Sequence, residues 1–341
     1  MPATLTETIG RIAGGLNLSR DEMAGAVDLL MQGTASEAEI GLFLMALRAK
    51  GETVEEIAGA AESLRRHMTC IRSGRTGLLD TCGTGGDQSG TFNISTAAAI
   101  ITAAAGVPVA KHGNRSYTSK SGSADVLTEL GVNIGATVPQ VEACLEELGL
   151  CFCFAPLMHP SMKNVADVRK KLGVPTIFNL LGPLVNPAGA EYQLLGVGQP
   201  ELRPLIARAI QLLGSKRAMV VCGEDGLDEV TLAGTTHVTE VGPEGLKEFA
   251  WTPEVFGLSR SPLDSLKIEG PTDSARMIRQ VLSGKPGPAR DIVVLNSAAA
   301  LVTVGTATSP AEAAKTAAAA IDSGTAHELL ARLVERSHLP A

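Results

Sequence analysis

The chain reads as an α/β protein, with a small helical N-terminal domain and a large α/β domain built on a mainly parallel central sheet with flanking helices. Three observations predict this. Helical spacing with repeated capping signals runs to about residue 69. From Gly77 onward, short apolar runs alternate with alanine-rich stretches, the pattern of strands joined by crossover helices. A length of 341 residues at 45% hydrophobic content is enough to fill a sizeable core.

The helical part is marked by three capping boxes, Ser19 with Glu22, Ser36 with Glu39 and Thr53 with Glu56. In each, the hydroxyl takes a free N–H of the first turn while the acid reaches back. "IGLFLMALRAKG" sets Ile40, Phe43, Leu44 and Leu47 on one face, and Gly51 suits the stop. Expected strands are "GLLDTCG", "VPVAKHG", "LCFCFAP", "YQLLGVG", "RAMVVCG", "THVTEV" and "DIVVLNSAA". Between them, Thr137 with Gln140, Pro200 and Ser309-Pro310 with Glu312 signal helix starts. Residues 160–187 look like two short helices broken by Gly173 and Gly182 that return to the N-terminal module. The expected domains are therefore residues 1–73, completed by helices from 160–187, and residues 74–341.

A formal net charge of −7 with scattered lysine and arginine argues against a nucleic-acid or anionic-membrane footprint. The N-terminus lacks a basic segment followed by an apolar one, and the most apolar stretch, 94–110, is too short for a span and is cut by Gly106 and Pro108. Six cysteines without a CxxC pair read as reduced core residues of a cytoplasmic protein, with Cys151 and Cys153 on one strand face.

Three polar loops follow apolar strands. "DTCGTGGDQSGTFNIST" (80–96) leaves a strand and enters a helix, which offers free amides and a helix dipole to an anion, with side-chain donors from Asn93, Ser95 and Thr96. It is neither a Walker A loop nor GxGxxG, and a tight turn with an ordinary cap is its plain alternative. Asp87 in this loop would repel a phosphate unless a cation lay between them. "KHGNRSYTSKSGSADVL" (111–127) brings Lys111, His112, Asn114, Arg115, Ser119 and Ser123 to the same sheet edge, where ligands bind in open α/β sheets. "CGEDGLDEVTLAG" (222–234) carries Glu224, Asp225, Asp228 and Glu229, hard oxygen donors suited to Mg²⁺, or else a solvated acidic turn. Together the loops describe a site for a polyphosphate carrying one or two Mg²⁺ ions.

With these stretches in view, "GTGGD" (83–87), "NIST" (93–96), "KHGNR" (111–115), "SGSADVL" (121–127), "FNLLGPLVNP" (178–187) and "GLDEV" (226–230) together resemble the anthranilate phosphoribosyltransferase family, in order and over nearly the whole chain. The resemblance implies Mg²⁺-dependent transfer of the phosphoribosyl group of phosphoribosyl pyrophosphate (PRPP) to the amine of anthranilate, in tryptophan biosynthesis, by a homodimer joined through the helical domain. It implies PRPP contacts from Gly83, Thr84, Gly85, Gly86, Asp87, Thr91, Asn93, Ser95, Thr96, Lys111 and Ser123, with Ser95, Asp228 and Glu229 toward the metal. Gly83, His112, Asn114, His159 and Arg169 are implied on the anthranilate side, and Asp87, Lys111 and Arg169 as the catalytic set. Without the resemblance, His159 before Pro160 reads as a turn residue and Arg169 as a solvated helix residue. Tyr117, Thr118, Asn164 and Asp167 stand where family members often carry other residues.

Two rival readings are a pyrimidine nucleoside phosphorylase, which would not need the acidic pair in "GLDEV", and a non-catalytic relative that binds nucleic acid, which would need a basic groove.

Overall fold

The computed structural model describes residues 4–116 and 119–341; Tyr117 and Thr118 lie outside the described residues. Four helices open the chain: α1 (Leu5–Ala13), α2 (Arg20–Met31), α3 (Glu37–Lys50) and α4 (Val54–His67). Both halves of the capping boxes at Ser19, Ser36 and Thr53 are formed. On α3 the buried side chains are Ile40, Phe43, Leu44 and Leu47, and Gly51 ends the helix at φ 87°.

The α/β part then runs β1 (Leu79–Gly83), α5 (Ile94–Ala104), β2 (Val109–Gly113), α6 (Ser123–Leu130), α7 (Val138–Leu148), β3 (Leu150–Phe154) and a short α8 (Ala155–Met158). Next come α9 (Lys163–Leu172), α10 (Phe178–Leu181) and a tight turn, Gly182–Leu184, then β4 (Tyr192–Gly196), α11 (Leu202–Leu212), β5 (Arg217–Gly223), β6 (Thr236–Gly242) and β7 (Gly245–Trp251). The chain ends in α12 (Pro271–Leu282), α13 (Pro288–Val304), α14 (Pro310–Asp322) and α15 (Thr325–His338).

The seven strands form one sheet in the order β3-β2-β1-β4-β5-β6-β7. β1 to β5 are parallel, and β6 and β7 add an antiparallel edge. Strand order reverses between β1 and β4, so a crevice opens beyond the C-terminal ends of those two strands. Alternate strand residues feed different cores, as the two-residue repeat requires. Leu194, Met219 and Val221 join α5, α13 and α14 on one face. Leu195, Ala218, Val220 and Cys222 join α11 and the N-terminal helices on the other. Val165, Val168, Phe178 and Leu181 bury in that second core, and Asn164 donates to the Met31 carbonyl at 2.8 Å, tying α9 to α2.

Two expectations need correction. "DIVVLNSAA" is the middle of α13, where Ile292 through Leu301 are all buried; a helix buried on every side shows no amphipathic period to separate it from a core strand. The edge strand β7, "GLKEFAW", escaped notice because its mid-strand residues are exposed and two of them, Lys247 and Glu248, are charged, a common way of blunting a sheet edge. Among the described residues, no helix is long and apolar enough to cross a membrane.

Candidate active site

A cleft of about 620 Å³ lies at the strand-order reversal. Its walls include the whole 82–96 loop, Lys111 to Ser116, Ser119, Ser121 to Ser123, and Asp228 with Glu229. The glycine, basic and acidic loops thus meet in one place. Close backbone packing holds them: Gly83 pairs with Gly196 across β1 and β4, and the Thr84 amide donates to the Gly196 carbonyl at 2.9 Å. A Cβ on Gly83 would lie 2.6 Å from Asp228 Oδ2, and one on Gly196 would run into the Asp228 carbonyl. The loop turns through positive φ at Gly85, Gly86 and Gly90, which glycine takes without strain, and also at Gln88, with φ 55°.

The first turn of α5 is where the loops interlock. Lys111, only 4% exposed, donates from Nζ to Ser95 Oγ at 3.2 Å and to the Thr81 carbonyl. The Ser95 amide donates to Glu229 Oε1 at 3.0 Å, and the Gly85 amide to Asp228 Oδ2 at 3.2 Å. Two amides expected to await an anion are therefore held by the acidic pair. Asn93 is also engaged: its Oδ1 accepts from Ser121 and Ser274 hydroxyls, both at 2.7 Å, and its Nδ2 donates to the Ser121 carbonyl at 3.0 Å. Thr96 Oγ1 is buried with no hydrogen-bond partner among the described residues.

Burial and the neighbouring charges of Asp87 and Glu229 push the Asp228 carboxyl well above the usual carboxylate range. Burial also raises Glu229, to about 7, against the pull of the Lys111 ammonium. Repulsion among the Asp87, Asp228 and Glu229 carboxyls favours a further positive charge there. Among the described residues no three His, Cys, Asp or Glu side chains converge tightly enough to hold a metal by themselves. Asp228 and Glu229 are hard oxygen donors at the cleft wall, the residue type that Mg²⁺ takes in ones and twos, with water and phosphate completing its shell. Glu224 and Asp225 stand apart: Asp225 accepts from Thr231 Oγ1 at 2.6 Å, and neither lines the cleft. The fuller acidic cluster expected from sequence reduces to Asp228 and Glu229.

On the basic side, His112 is 7% exposed, with Nδ1 at 3.0 Å from the Gly182 carbonyl and Nε2 at 3.2 Å from His159 Nε2. Burial, reinforced by the facing His159, lowers His112 to about 3, and burial lowers His159 to about 4. Asn114 lines the cleft, as does Ser123, whose hydroxyl is 3.4 Å from the Asn114 carbonyl. Arg115 pairs with Asp125 at 2.9 Å. Arg169 and His159 do not line the cleft; the Arg169 guanidinium carbon sits 5.3 Å from the centre of the Phe178 ring.

Some wall residues were not anticipated. Arg48 and Glu52 reach the cleft from the helical part, and Gly198, Gln199 and Leu202 follow β4. Behind the wall, buried Asp80 accepts from the His112 amide at 3.1 Å and from Asn186 Nδ2 at 2.8 Å, so "LLD" and "VNP" set the height of His112. A polar residue inside an apolar strand was the available signal for Asp80.

Residues 75–327 match the glycosyl transferase family a/b domain, and residues 6–68 the glycosyl transferase family helical bundle domain. The anthranilate phosphoribosyltransferase of Rhodopirellula baltica is 49% identical over 332 residues, 97% of each chain. The crystal structure of anthranilate phosphoribosyltransferase from Thermus thermophilus superposes with a TM-score of 0.92 at 43% identity, covering 97% of this chain and 99% of that one. The enzyme from Saccharomyces cerevisiae in complex with PRPP and Mg superposes with a TM-score of 0.91 at 32% identity, covering 99% and 98%.

Proposed function

The chain belongs to the anthranilate phosphoribosyltransferase family, and from that premise we propose that it transfers the phosphoribosyl group of PRPP to the amine of anthranilate, releasing pyrophosphate, with Mg²⁺, in tryptophan biosynthesis. The observation that carries this reading is the junction at the first turn of α5, where Lys111 meets Ser95 and Ser95 meets Glu229. Cation and carboxylate there flank one hydroxyl in a cleft roomy enough for a sugar polyphosphate.

Pyrophosphate lies along Gly83, Thr84, Gly85 and Gly86, with Thr91, Asn93, Ser95, Thr96, Lys111 and Ser123 completing the PRPP contacts. The unpartnered Thr96 hydroxyl and the Lys111 ammonium supply donors for its oxygens. Ser95, Asp228 and Glu229 hold Mg²⁺, which when bound offsets charge on the leaving pyrophosphate. Occupation of the site draws the two carboxylates away from the amides they now cap, which frees those amides for phosphate. Asp87, opposite Gly198, lies beside the leaving group.

Anthranilate enters from the side of Gly83, His112 and Asn114, with His159 behind His112. Arg169 orients its carboxylate through the planar fork that suits bidentate binding. Cleavage of the ribose C1–oxygen bond builds oxocarbenium character, and donors aimed at the departing oxygens lower that barrier. The amine of anthranilate is a neutral nucleophile whose surplus proton leaves after bond formation, so the chain needs no obligatory general base. Positioning of the amine is the acceptor side's contribution.

Two further readings rest on the surface and the thiols. α3 exposes Leu42 and Met45, with Val174 nearby in sequence to α9, and a second copy of the chain covering the helical part accounts for these apolar side chains in a homodimer. Six unpaired cysteines suit a reducing, cytoplasmic setting. The transfer reading is tested by mixing purified protein with PRPP, anthranilate and Mg²⁺ and following pyrophosphate: one pyrophosphate per anthranilate consumed is the expected result, and pyrophosphate release independent of anthranilate contradicts it.

A further inference from the structure

A second cavity, of about 370 Å³, opens by the N-terminal ends of β4 and β5, opposite the catalytic cleft. It lies between α4 and the residues that lead into those strands, and Arg65, Met68, Glu191, Gln193, Leu213 and Lys216 are on its wall. Arg65 is half-buried and spends one donor, Nε, on the Leu184 carbonyl at 2.9 Å. Its two terminal nitrogens have no hydrogen-bond or ion-pair partner among the described residues. The nearby carboxylate of Glu62 is engaged by Arg20 at 2.8 Å. Burial lowers the Arg65 guanidinium from its ordinary value, against the pull of the Glu62 carboxylate. Lys216, on the rim, sits 5.2 Å from the centre of the Tyr192 ring and 4.0 Å from Glu191.

We propose that this cavity is a binding site for a small aliphatic monocarboxylate, held by the free end of the Arg65 fork with Lys216 at the rim. The planar pair of terminal nitrogens matches a carboxylate. Glu191 beside the opening disfavours a doubly charged anion such as phosphate, and Met68 and Leu213 give a short alkyl chain an apolar wall.

The site communicates with the catalytic cleft through residues 182–186. Arg65 grips the Leu184 carbonyl, Gln193 the Pro183 carbonyl at 2.5 Å, and Asn186 reaches Asp80 at 2.8 Å. At the other end of this segment, the Gly182 carbonyl takes Nδ1 of His112. An occupant that draws on Arg65 therefore acts on the segment whose Gly182 carbonyl faces His112. This coupling rests on the transferase reading of the cleft; the binding itself does not.

The test is calorimetric titration of 4-methylpentanoate into protein whose catalytic cleft is filled with pyrophosphate and Mg²⁺, with inorganic phosphate as a competitor. Saturable binding at one site is expected, weakened about tenfold or more by Arg65→Gln, in line with the loss of charged hydrogen bonds. Lys216→Met, at an exposed position that does not threaten the fold, weakens it severalfold. Absence of saturable heat, wild-type affinity in both the Arg65 and the Lys216 variant, or displacement by phosphate at lower concentration than the carboxylate overturns the proposal. The coupling predicts a ¹⁵N shift of His112 Nδ1 on carboxylate binding, and an unmoved resonance removes that part. A protein that takes the carboxylate but fails to consume anthranilate separates failure of the transferase reading from failure of this one.

Discussion

The Nε2 atoms of His159 and His112 face each other at 3.2 Å, and Nδ1 of His112 faces the Gly182 carbonyl at 3.0 Å. A carbonyl only accepts, so in the neutral His112 ring Nδ1 carries the proton and Nε2 the lone pair. Both rings are neutral near pH 7, in keeping with values of about 3 and about 4. The pair orients groups in the acceptor wall rather than delivering a proton.

Both histidines bind protons more weakly in the folded chain than in the unfolded one, where about 6.5 applies. Their contribution to stability is complete above pH 6.5 and is lost as pH falls toward 4 and then 3. Between those limits the unfolded chain binds the protons first, so stability falls with each step of acidification. Urea midpoints for wild type and His112→Asn at pH 7 and pH 5 check this: the variant loses less stability on acidification than wild type. An equal loss removes the neutral-pair assignment.

Glu229 and Asp228 behave in the opposite sense. Their folded values lie above those of free carboxylates, with Glu229 at about 7, so the folded chain loses stability as pH rises from about 4.5 through 7. Mg²⁺ at pH 8 is expected to raise Tm in wild type. Glu229→Gln is expected to raise Tm without metal and to abolish most of the Mg²⁺ effect, and Asp228→Ala with Glu229→Ala to abolish Mg²⁺-dependent turnover with the fold intact. The same Mg²⁺-induced rise in Glu229→Gln, or full activity in the double variant, refutes the metal assignment.

At Gly83, a methyl group would press on Asp228 Oδ2 at 2.6 Å, a clash that a carboxylate can relieve by moving. Gly83→Ala is therefore expected to fold but to raise KM for PRPP about tenfold or more by displacing a metal ligand. Steady-state kinetics with circular dichroism check this, and an unchanged KM means that Asp228 does not serve the PRPP side.

Arg169 lies over the Phe178 ring, and neither residue lines the cleft. If it orients the anthranilate carboxylate, Arg169→Ala raises KM for anthranilate while KM for PRPP stays near wild type, and Arg169→Lys restores little because an ammonium lacks the planar fork. Equal effects on both substrates point to a packing role instead.

Much of this was legible from local rules. The capping boxes, the glycine stop after α3 and the β1 to β6 strands follow from signals within a few residues of each element. So did the meeting of three polar loops, since each leaves the C-terminal end of a strand. The sequence concealed what depends on the third dimension. α13 is apolar on all sides and looks like a strand, while β7 is polar enough to look like a loop. Side-chain partners were equally hidden: Asp225 turns to Thr231, Arg115 to Asp125, and the Asp228 and Glu229 carboxylates to amides of the glycine loop and α5. Arg48 and Glu52 reach the cleft only because α3 folds over it.

The most direct test of the central claim is the fluorescence of anthranilate mixed with the protein, PRPP and Mg²⁺, beside a control in which Mg²⁺ is chelated. Loss of the anthranilate signal that requires both PRPP and the metal is the expected result. A steady signal with folded protein, or a loss that proceeds equally without PRPP or with the metal chelated, contradicts it.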